Sequence, residues 1–275
     1  MRGFSPTWLA LREPADSAAR NRIVVNACAK HFAGHGQIEV CDLGAGTGSS
    51  LRAFADLLPP VQRWTLVDHD ARNLTAARAA LAAWAGEATE GEDFILRRGG
   101  KTITVHTRVL DFAQSPACWP QGTQLVTASA LFDLASIDWI GRFVAALTVQ
   151  KTPLLATLTA NEMISAAPGH PLDEKVIAAF HRHQTGDKGL GPSAGAKAAA
   201  LLEDALQKAG CTLTAGDGPW MLTPSELLRA TTEGMAAAVS ETNAVDADEL
   251  AAWLEHQRTA TTQLTIGHRD VFAHP

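Results

Sequence analysis

The sequence predicts an α/β fold, a parallel sheet covered by helices on both faces. Three observations carry this. Short apolar runs alternate with segments of helical period over the first 160 residues, the signature of parallel strands joined by crossover helices. The first two runs end in an acid, and one of those is followed at once by a Gly-rich turn. The chain has 275 residues, 46% of them hydrophobic, which is ample for one large buried core.

Each element is readable in order. Glu13-Pro14-Ala15-Asp16 is expected to open a helix, since Pro suits a first turn and acids suit the positive end of the helix dipole. Ile23, Val24, Ala27, Cys28, His31 and Phe32 recur at helical spacing, and Gly34-His35-Gly36 stops that helix. Residues 37–42 read as a buried strand and 49–58 as a helix ended by Pro59-Pro60. Residues 64–67 read as a second strand ending at Asp68, and 73–84 as an Ala-rich helix. Residues 94–96 and 103–109 flank Arg98-Gly99-Gly100-Lys101, a hairpin signal. Residues 124–127 are strand-like, 139–147 helical with Trp139 in the core, and 153–158 an apolar strand. Beyond them come a helix over 173–183, a polar Gly-rich stretch over 184–192, a helix over 193–209 and a strand over 211–214. Two or three helices over 223–258 and a last strand over 262–272 complete the chain.

Charge and composition narrow the function. The 23 Lys+Arg against 29 Asp+Glu give a net charge of −6, which argues against nucleic acid as partner, because affinity for a polyanion comes largely from basic residues. There is no Tyr, which removes one candidate base. The four Cys are scattered, and Cys28 and Cys41 sit in apolar surroundings, so they read as small buried hydrophobes rather than a disulfide or zinc framework. Met1-Arg2-Gly3-Phe4 has no apolar stretch behind it and no run approaches a membrane span. These features, with an Ala and Arg bias, fit a cytoplasmic bacterial protein with no membrane partner. Nothing signals an oligomeric state.

The chemistry is concentrated in Val40-Cys41-Asp42-Leu43-Gly44-Ala45-Gly46-Thr47-Gly48. Glycines at i, i+2 and i+4 after a strand let the backbone turn tightly and approach a ligand. A carboxylate at Asp42 would repel a pyrophosphate but welcomes an ammonium group. Twenty residues after Gly48, Asp68 ends the next strand, where its two oxygens can accept from both hydroxyls of a ribose. Asp111 closes the third strand and can accept from an adenine amino group, and Phe112 can cover the ring. Together these residues describe a site for an adenosine that carries an amino acid, S-adenosyl-L-methionine.

With those residues in place, the chain resembles the class I S-adenosylmethionine-dependent methyltransferases. Asp42, Gly44, Gly46 and Gly48 match the family's first motif, Asp68 its ribose acid, and Asp111-Phe112 its adenine motif. The resemblance implies a Rossmann-like, seven-stranded, mostly parallel sheet sandwiched by helices, with the strand at 262–272 as its antiparallel member. It is similar also to a bacterial stand-alone subgroup, through residues 8–16 and 127–134, Asp187-Lys188-Gly189 and Gly267-His268-Arg269-Asp270. The implied organisation is a single domain over 1–275. It comprises an N-terminal helical segment at 5–33, a cofactor-binding core at 37–160, and a lid insertion at 161–193. A helix and strand at 194–215 and a helical insertion at 223–258 precede the final strand. Ala45, His69, Thr127 and Arg20 complete the expected cofactor residues, with Arg12 and Glu13 helping to close the site.

Methyl transfer is an in-line displacement from an excellent leaving group, so catalysis can come largely from alignment and exclusion of water, with a base for hydroxyl or ammonium acceptors. Candidate catalytic residues are Asp133 after the fourth strand and His181 or His183 in the lid. Asp133 equally suits a cap for the next helix, and the histidines suit a helix end. No third ligand accompanies the His181-x-His183 pair, so no metal is expected. The fourth strand lacks the Asn/Asp-Pro-Pro-Tyr/Phe pattern of nucleobase amino methyltransferases. The expected activity is O- or N-methylation of a small molecule. Alternatives are an RNA or protein methyltransferase, for which Arg97, Arg98 and Lys101 are a thin basic footprint, and a non-catalytic S-adenosylmethionine-binding protein. A nicotinamide-dependent oxidoreductase is disfavoured by Asp42.

Overall fold

The computed structural model describes residues 4–91, 93–113 and 115–275. Residues 1–3, part of the stretch read above for a leader, lie outside the described residues. Two helices open the fold, α1 (Pro6–Ala19) and α2 (Arg22–Phe32). Ser5 caps α1 by accepting from the Trp8 N–H, and Pro6 sits in the first turn, where a missing N–H is harmless. The start expected at Glu13-Pro14 is therefore corrected: the cap and proline at Ser5-Pro6 start the helix first, and Pro14 lies inside it. Asn21 breaks the chain between the helices and caps α2, its side chain accepting from the Ile23 and Val24 N–H groups.

The alternating half follows as β1 (Gln37–Leu43), α3 (Ser49–Phe54), β2 (Val61–Asp68), α4 (Ala71–Trp84), β3 (Glu87–Glu90), β4 (Phe94–Arg98), β5 (Lys101–Val109), β6 (Leu125–Ser129), α5 (Ile137–Gln150) and β7 (Leu154–Ala167). The remainder is α6 (Asp173–Gln184), α7 (Ala198–Lys208), β8 (Thr212–Asp217), β9 (Trp220–Leu222), α8 (Glu226–Glu241), α9 (Ala247–Thr259) and β10 (Gln263–His274). The strand order is β3-β4-β5-β2-β1-β6-β7-β10-β8, with β9 also on β10. From β5 to β7 the neighbours run parallel; β10 is antiparallel to both β7 and β8.

The implied seven strands are thus present as β5-β2-β1-β6-β7-β10-β8, and three more extend them among the described residues. β4 folds back on β5 through the expected hairpin, and β3 adds outside it. β3 is exposed throughout, so it carries no apolar signal. The lid expected at 161–193 is also corrected. Residues 161–167 continue β7, because β10 pairs with it as far as Gln263 opposite Ala167 and supplies the backbone partners that a free lid segment would lack.

Two apolar layers hold the sheet. One face packs Cys41, Leu43, Val67, Val126 and Ala128 against α5 and α7 through Trp139, Phe143 and Leu202. The other packs Ile38, Val40, Trp64 and Leu66 against α2, α3 and α4 through Val24, Leu51 and Leu81. This two-sided burial explains why the central strands read as continuous apolar runs. α6, α8 and α9 form a smaller cluster around Val176, Met235 and Trp253, whose indole donates to Asp173 at 2.8 Å.

Candidate active site

The Gly-rich loop leaves β1 at the carboxyl edge of the sheet. Gly44, Gly46 and Gly48 all take positive φ, of 66°, 53° and 78°. The loop is pinned to the end of β2: the Ala45 N–H donates to the Val67 carbonyl at 3.0 Å, and the Gly46 N–H to Asp68 Oδ2 at 2.8 Å. A Cβ at Gly46 would stand 3.0 Å from Leu9 Cδ1, and one at Gly44 would stand 3.3 Å from Leu131 Cδ1. Missing side chains therefore let α1 and the segment after β6 close onto bare backbone.

A cavity of about 320 Å³ lies beyond these strand ends, within the size range of small-molecule sites. Across the sheet its walls are Asp111 and Phe112 after β5, Asp68 and His69 after β2, and the loop residues Gly44 to Thr47 after β1. Ser129, Ala130 and Leu131 follow at the end of β6, with Leu134 just beyond. Leu9, Arg12 and Asp16 of α1 and Lys188 and Leu190 of the loop after α6 cover it.

Seven of the expected cofactor residues meet there: Gly44, Ala45, Gly46, Asp68, His69, Asp111 and Phe112. Asp68 is only 4% exposed and is held on two sides, its Oδ1 accepting the Asp70 N–H at 2.9 Å. Oδ2 thus keeps a lone pair for a ligand, while Oδ1 also lies 3.3 Å from His69 Nδ1. Asp111 lies two residues beyond β5 in a turn that it stabilises, accepting the Ala113 N–H at 2.9 Å. Phe112 is fixed from behind, because its carbonyl accepts the Trp139 indole N–H at 3.0 Å.

Asp42, Gly48, Thr127 and Arg20 do not line the cavity. Gly48 closes the loop, its N–H donating to the Ala45 carbonyl at 2.8 Å, ahead of α3. Asp42 is fully buried and accepts the Thr127 hydroxyl at 2.7 Å, while its Oδ2 has no protein partner among the described residues. Burial pushes its carboxyl up to about 7, against the Thr127 bond and the nearby Arg20 charge. Arg20 is buried over the Phe54 ring. Burial lowers its pKa, opposed by the charges of Asp16, Asp270 and Asp42.

Asp133 sits in a 3-10 turn (Phe132–Leu134) between the cavity residues Leu131 and Leu134, and does not itself line the cavity. It is not the helix cap. Ser136 caps α5, accepting the Trp139 N–H at 3.1 Å. Asp133 Oδ1 is buried without a protein partner, and burial raises its pKa against a backbone hydrogen bond and the Arg12 charge. The lid histidines are placed differently. His183 pairs with Glu241 of α8 at 3.0 Å and ties α6 to α8. His181 stands beside Glu162 with its Nε2 buried and unpartnered. Residues i and i+2 of a helix face different ways. Neither histidine lines the cavity.

Arg12 and Glu13 were expected to help close the site, but the sequence reading missed the partners that fasten α1 over it. Arg12 Nε meets Asp16 Oδ2 at 2.9 Å in a buried i,i+4 pair, Asp16 Oδ1 also accepts the Trp220 indole at 3.0 Å, and the Arg12 guanidinium lies 4.8 Å over the Trp220 ring. Glu13 pairs with Arg52 at 2.5 Å, and Arg52 donates to the Thr47 carbonyl of the glycine loop at 2.7 Å. The i,i+4 spacing of Arg12 and Asp16 was the one local signal of this arrangement. Ser193 fixes the loop that carries Lys188, its hydroxyl bonding to the Leu134 carbonyl at 3.1 Å and the Gly186 carbonyl at 2.8 Å.

No protein-family model matches the sequence, and no curated protein matches it significantly. Solved structures do match over nearly the whole chain. The YcgJ protein of Bacillus subtilis is 9% identical, with 92% of this chain and 98% of that one covered and a TM-score of 0.50. A cyclopropane-fatty-acyl-phospholipid synthase-like protein of Lactobacillus casei is 16% identical, with 94% and 92% covered and a TM-score of 0.50. The fold is the one these two structures have. A magnesium protoporphyrin IX methyltransferase of Synechocystis, solved with bound S-adenosylhomocysteine, is 10% identical, with 97% and 84% covered and a TM-score of 0.49. Among the described residues no helix is long and apolar enough to cross a membrane.

Proposed function

We propose that this chain is an S-adenosylmethionine-dependent methyltransferase acting in the bacterial cytoplasm on a small-molecule acceptor, by O- or N-methylation. The observation that carries the reading is the meeting of Asp68, Asp111-Phe112 and the Gly44–Gly46 backbone at one cavity. Along β5, β2 and β1 these groups stand at adjacent strand ends in the order adenine, ribose, amino acid that the cofactor requires. The cofactor supplies a methyl group on a positively charged sulfur. Asp68 takes the ribose hydroxyls, Asp111 the adenine amino group, and Phe112 covers the ring. Asp42 acts from below through its charge on the ammonium end, which also favours its ionised form, and Arg20 balances that charge. Leu9, Leu131 and Leu134 exclude water from the reacting carbon. Asp133 is the proposed proton acceptor; His183, committed to Glu241, is not.

A small acceptor is favoured over RNA by the state of the basic hairpin. Arg98 lies over the Trp84 ring and donates to the Trp84 carbonyl at 2.9 Å, and Lys101 donates to the Leu58 carbonyl. Two of its three cations are thus spent within the fold. Calorimetric titration of the whole chain with S-adenosylhomocysteine, with NADH as comparison, tests the cofactor reading. Saturable binding of the first and no heat from the second is expected. Binding of NADH alone, or of neither, overturns it.

A further inference from the structure

We propose that Asn73 is a positioning residue that couples the cofactor's ribose to the segment ahead of α1. Its Oδ1 takes one ribose hydroxyl while its Nδ2 holds Phe4 over the cavity. The proposal rests on the cofactor reading above and adds a second ribose contact and a latch to it.

Asp68 is short of acceptor capacity for a ribose. Its Oδ1 accepts the Asp70 N–H at 2.9 Å and lies 3.3 Å from His69 Nδ1. That nitrogen carries the ring proton, because a bare lone pair would face the carboxylate. Oδ2 accepts the Gly46 N–H at 2.8 Å. A lone pair on Oδ2 remains, whereas a ribose brings a hydroxyl proton from each of O2′ and O3′. The second proton needs another acceptor near the junction of β2 and α4.

His69 Nε2 is buried there without a protein partner among the described residues. The imidazole nitrogens point to opposite sides of the ring, so with Nδ1 on Asp68 it faces away from that carboxylate. Asn73 is better placed. It lines the cavity, is 3% exposed, and shares the buried face of α4 with Leu74, Ala77 and Leu81. Its Nδ2 donates to the Phe4 carbonyl at 3.3 Å, which fixes the amide's orientation, since the reverse would set two oxygens against each other. Oδ1 is then an acceptor, buried and without a protein partner among the described residues. Folded chains rarely leave such an atom unpaired, and doing so is costly. An alanine or leucine would fill this position of the helix without that cost; a ligand hydroxyl removes it.

The other end of the amide makes the contact a latch. The Phe4 ring lines the cavity although the residue is half exposed. The ties that hold α1 come later in the chain, at Leu9 against the Gly46 position and at the Arg12–Asp16 and Glu13–Arg52 pairs. Ser5, between them, serves α1 itself by accepting the Trp8 N–H. The bond from Asn73 therefore fastens Phe4 to α4. A ribose hydroxyl on Oδ1 immobilises the side chain and polarises its amide, which strengthens the Nδ2 bond to the Phe4 carbonyl. Phe4 is thus held closed while the ribose is seated.

The test is calorimetry and dissociation kinetics on the whole chain with S-adenosylhomocysteine and its 2′-deoxy and 3′-deoxy analogues. In the wild type each analogue is expected to bind about fivefold more weakly than the parent. In Asn73→Ala one analogue should bind as tightly as the parent, because the acceptor for its missing hydroxyl is gone, while the other keeps the loss that Asp68 imposes. Losses unchanged for both analogues overturn the proposal. Asn73→Ala and Phe4→Ala should each speed release of S-adenosylhomocysteine, and the double variant should speed it by less than the product of the two. Effects that multiply overturn the latch. Where Asn73→Ala fails to fold, Phe4→Ala at its half-exposed position keeps the test decisive. It should weaken S-adenosylhomocysteine more than the analogue that cannot engage Asn73, and equal weakening of all three ligands overturns the coupling. Failure of S-adenosylhomocysteine to bind the wild type strikes the cofactor reading instead, and the coupling falls with it.

Discussion

Asp68→Asn separates the two jobs given to one carboxylate. In the wild type both oxygens accept backbone N–H groups, Oδ2 from Gly46 at 2.8 Å and Oδ1 from Asp70 at 2.9 Å. An asparagine has nearly the same shape, but whichever way its amide turns, the NH2 faces one of those N–H donors. Leaving a buried donor unpaired costs about 1–3 kcal/mol. At this chain length each kcal/mol lowers Tm by roughly 2–4 °C, so a visible drop in thermal stability is expected. The second loss appears only with ligand. A hydrogen bond from a ribose hydroxyl to a charged acceptor is worth about 1.5–3 kcal/mol, and weakening one lowers affinity by about 10- to 150-fold. Calorimetry with S-adenosylhomocysteine, run below the variant's melting range, reads the second term apart from the first. A variant that melts early but binds with wild-type affinity would show that Asp68 only shapes the loop, and would refute its role as the ribose acid.

Two further outcomes follow from the same geometry. Gly46→Ala forces a Cβ onto a backbone with φ of 53° and to within 3.0 Å of Leu9 Cδ1. A left-handed alanine costs roughly 1–2 kcal/mol, and the leucine tip can yield, so urea denaturation should show a loss of about that size; an unchanged midpoint would contradict the loop geometry. The second concerns pH: burial lowers the His268 pKa to about 4 and raises that of Asp42 to about 7. Between pH 4 and 6.5 the unfolded chain holds more protons at His268, so that residue makes stability rise with pH, by at most about 1.4 kcal/mol per unit. Over the same range the folded chain holds more protons at Asp42, so that residue makes stability fall with rising pH. Urea midpoints from pH 4.5 to 6.5 should therefore slope downward in His268→Gln and upward in Asp42→Asn, relative to the wild type; profiles parallel to the wild type would refute both assignments.

What was legible in the sequence is what is local. The end of β1, the three glycines and Asp68 lie within 27 residues, and each is a type whose chemistry restricts its use. The parallel core was legible because strands buried on both faces are continuous apolar runs. β3 was not, because all four of its residues are exposed, and β9 is only three residues long. The continuation of β7 was hidden because residues 161–167 alternate in burial instead of forming an apolar run, and their backbone partner lies about a hundred residues later in β10. The ties that hold α1 were hidden for the same reason. Glu13 and Arg52, Asp16 and Trp220, and Asn21 and Asp270 come from distant segments, and no spacing rule connects them.

Distant segments also fasten α1 over the cavity. Asp270 of β10 accepts the Leu158 N–H through Oδ1 and the Asn21 N–H through Oδ2, both at 2.7 Å. It thereby holds a residue of β7 in a left-handed conformation, with φ of 56°, beside the start of α2. Arg20, just before Asn21, lies within the influence of Asp270 and of Asp42 under the glycine loop. Eight residues earlier, Arg12 is held by Asp16 and Trp220. Displacing α1 would break these ties together and open the roof over Gly46, where Leu9 packs.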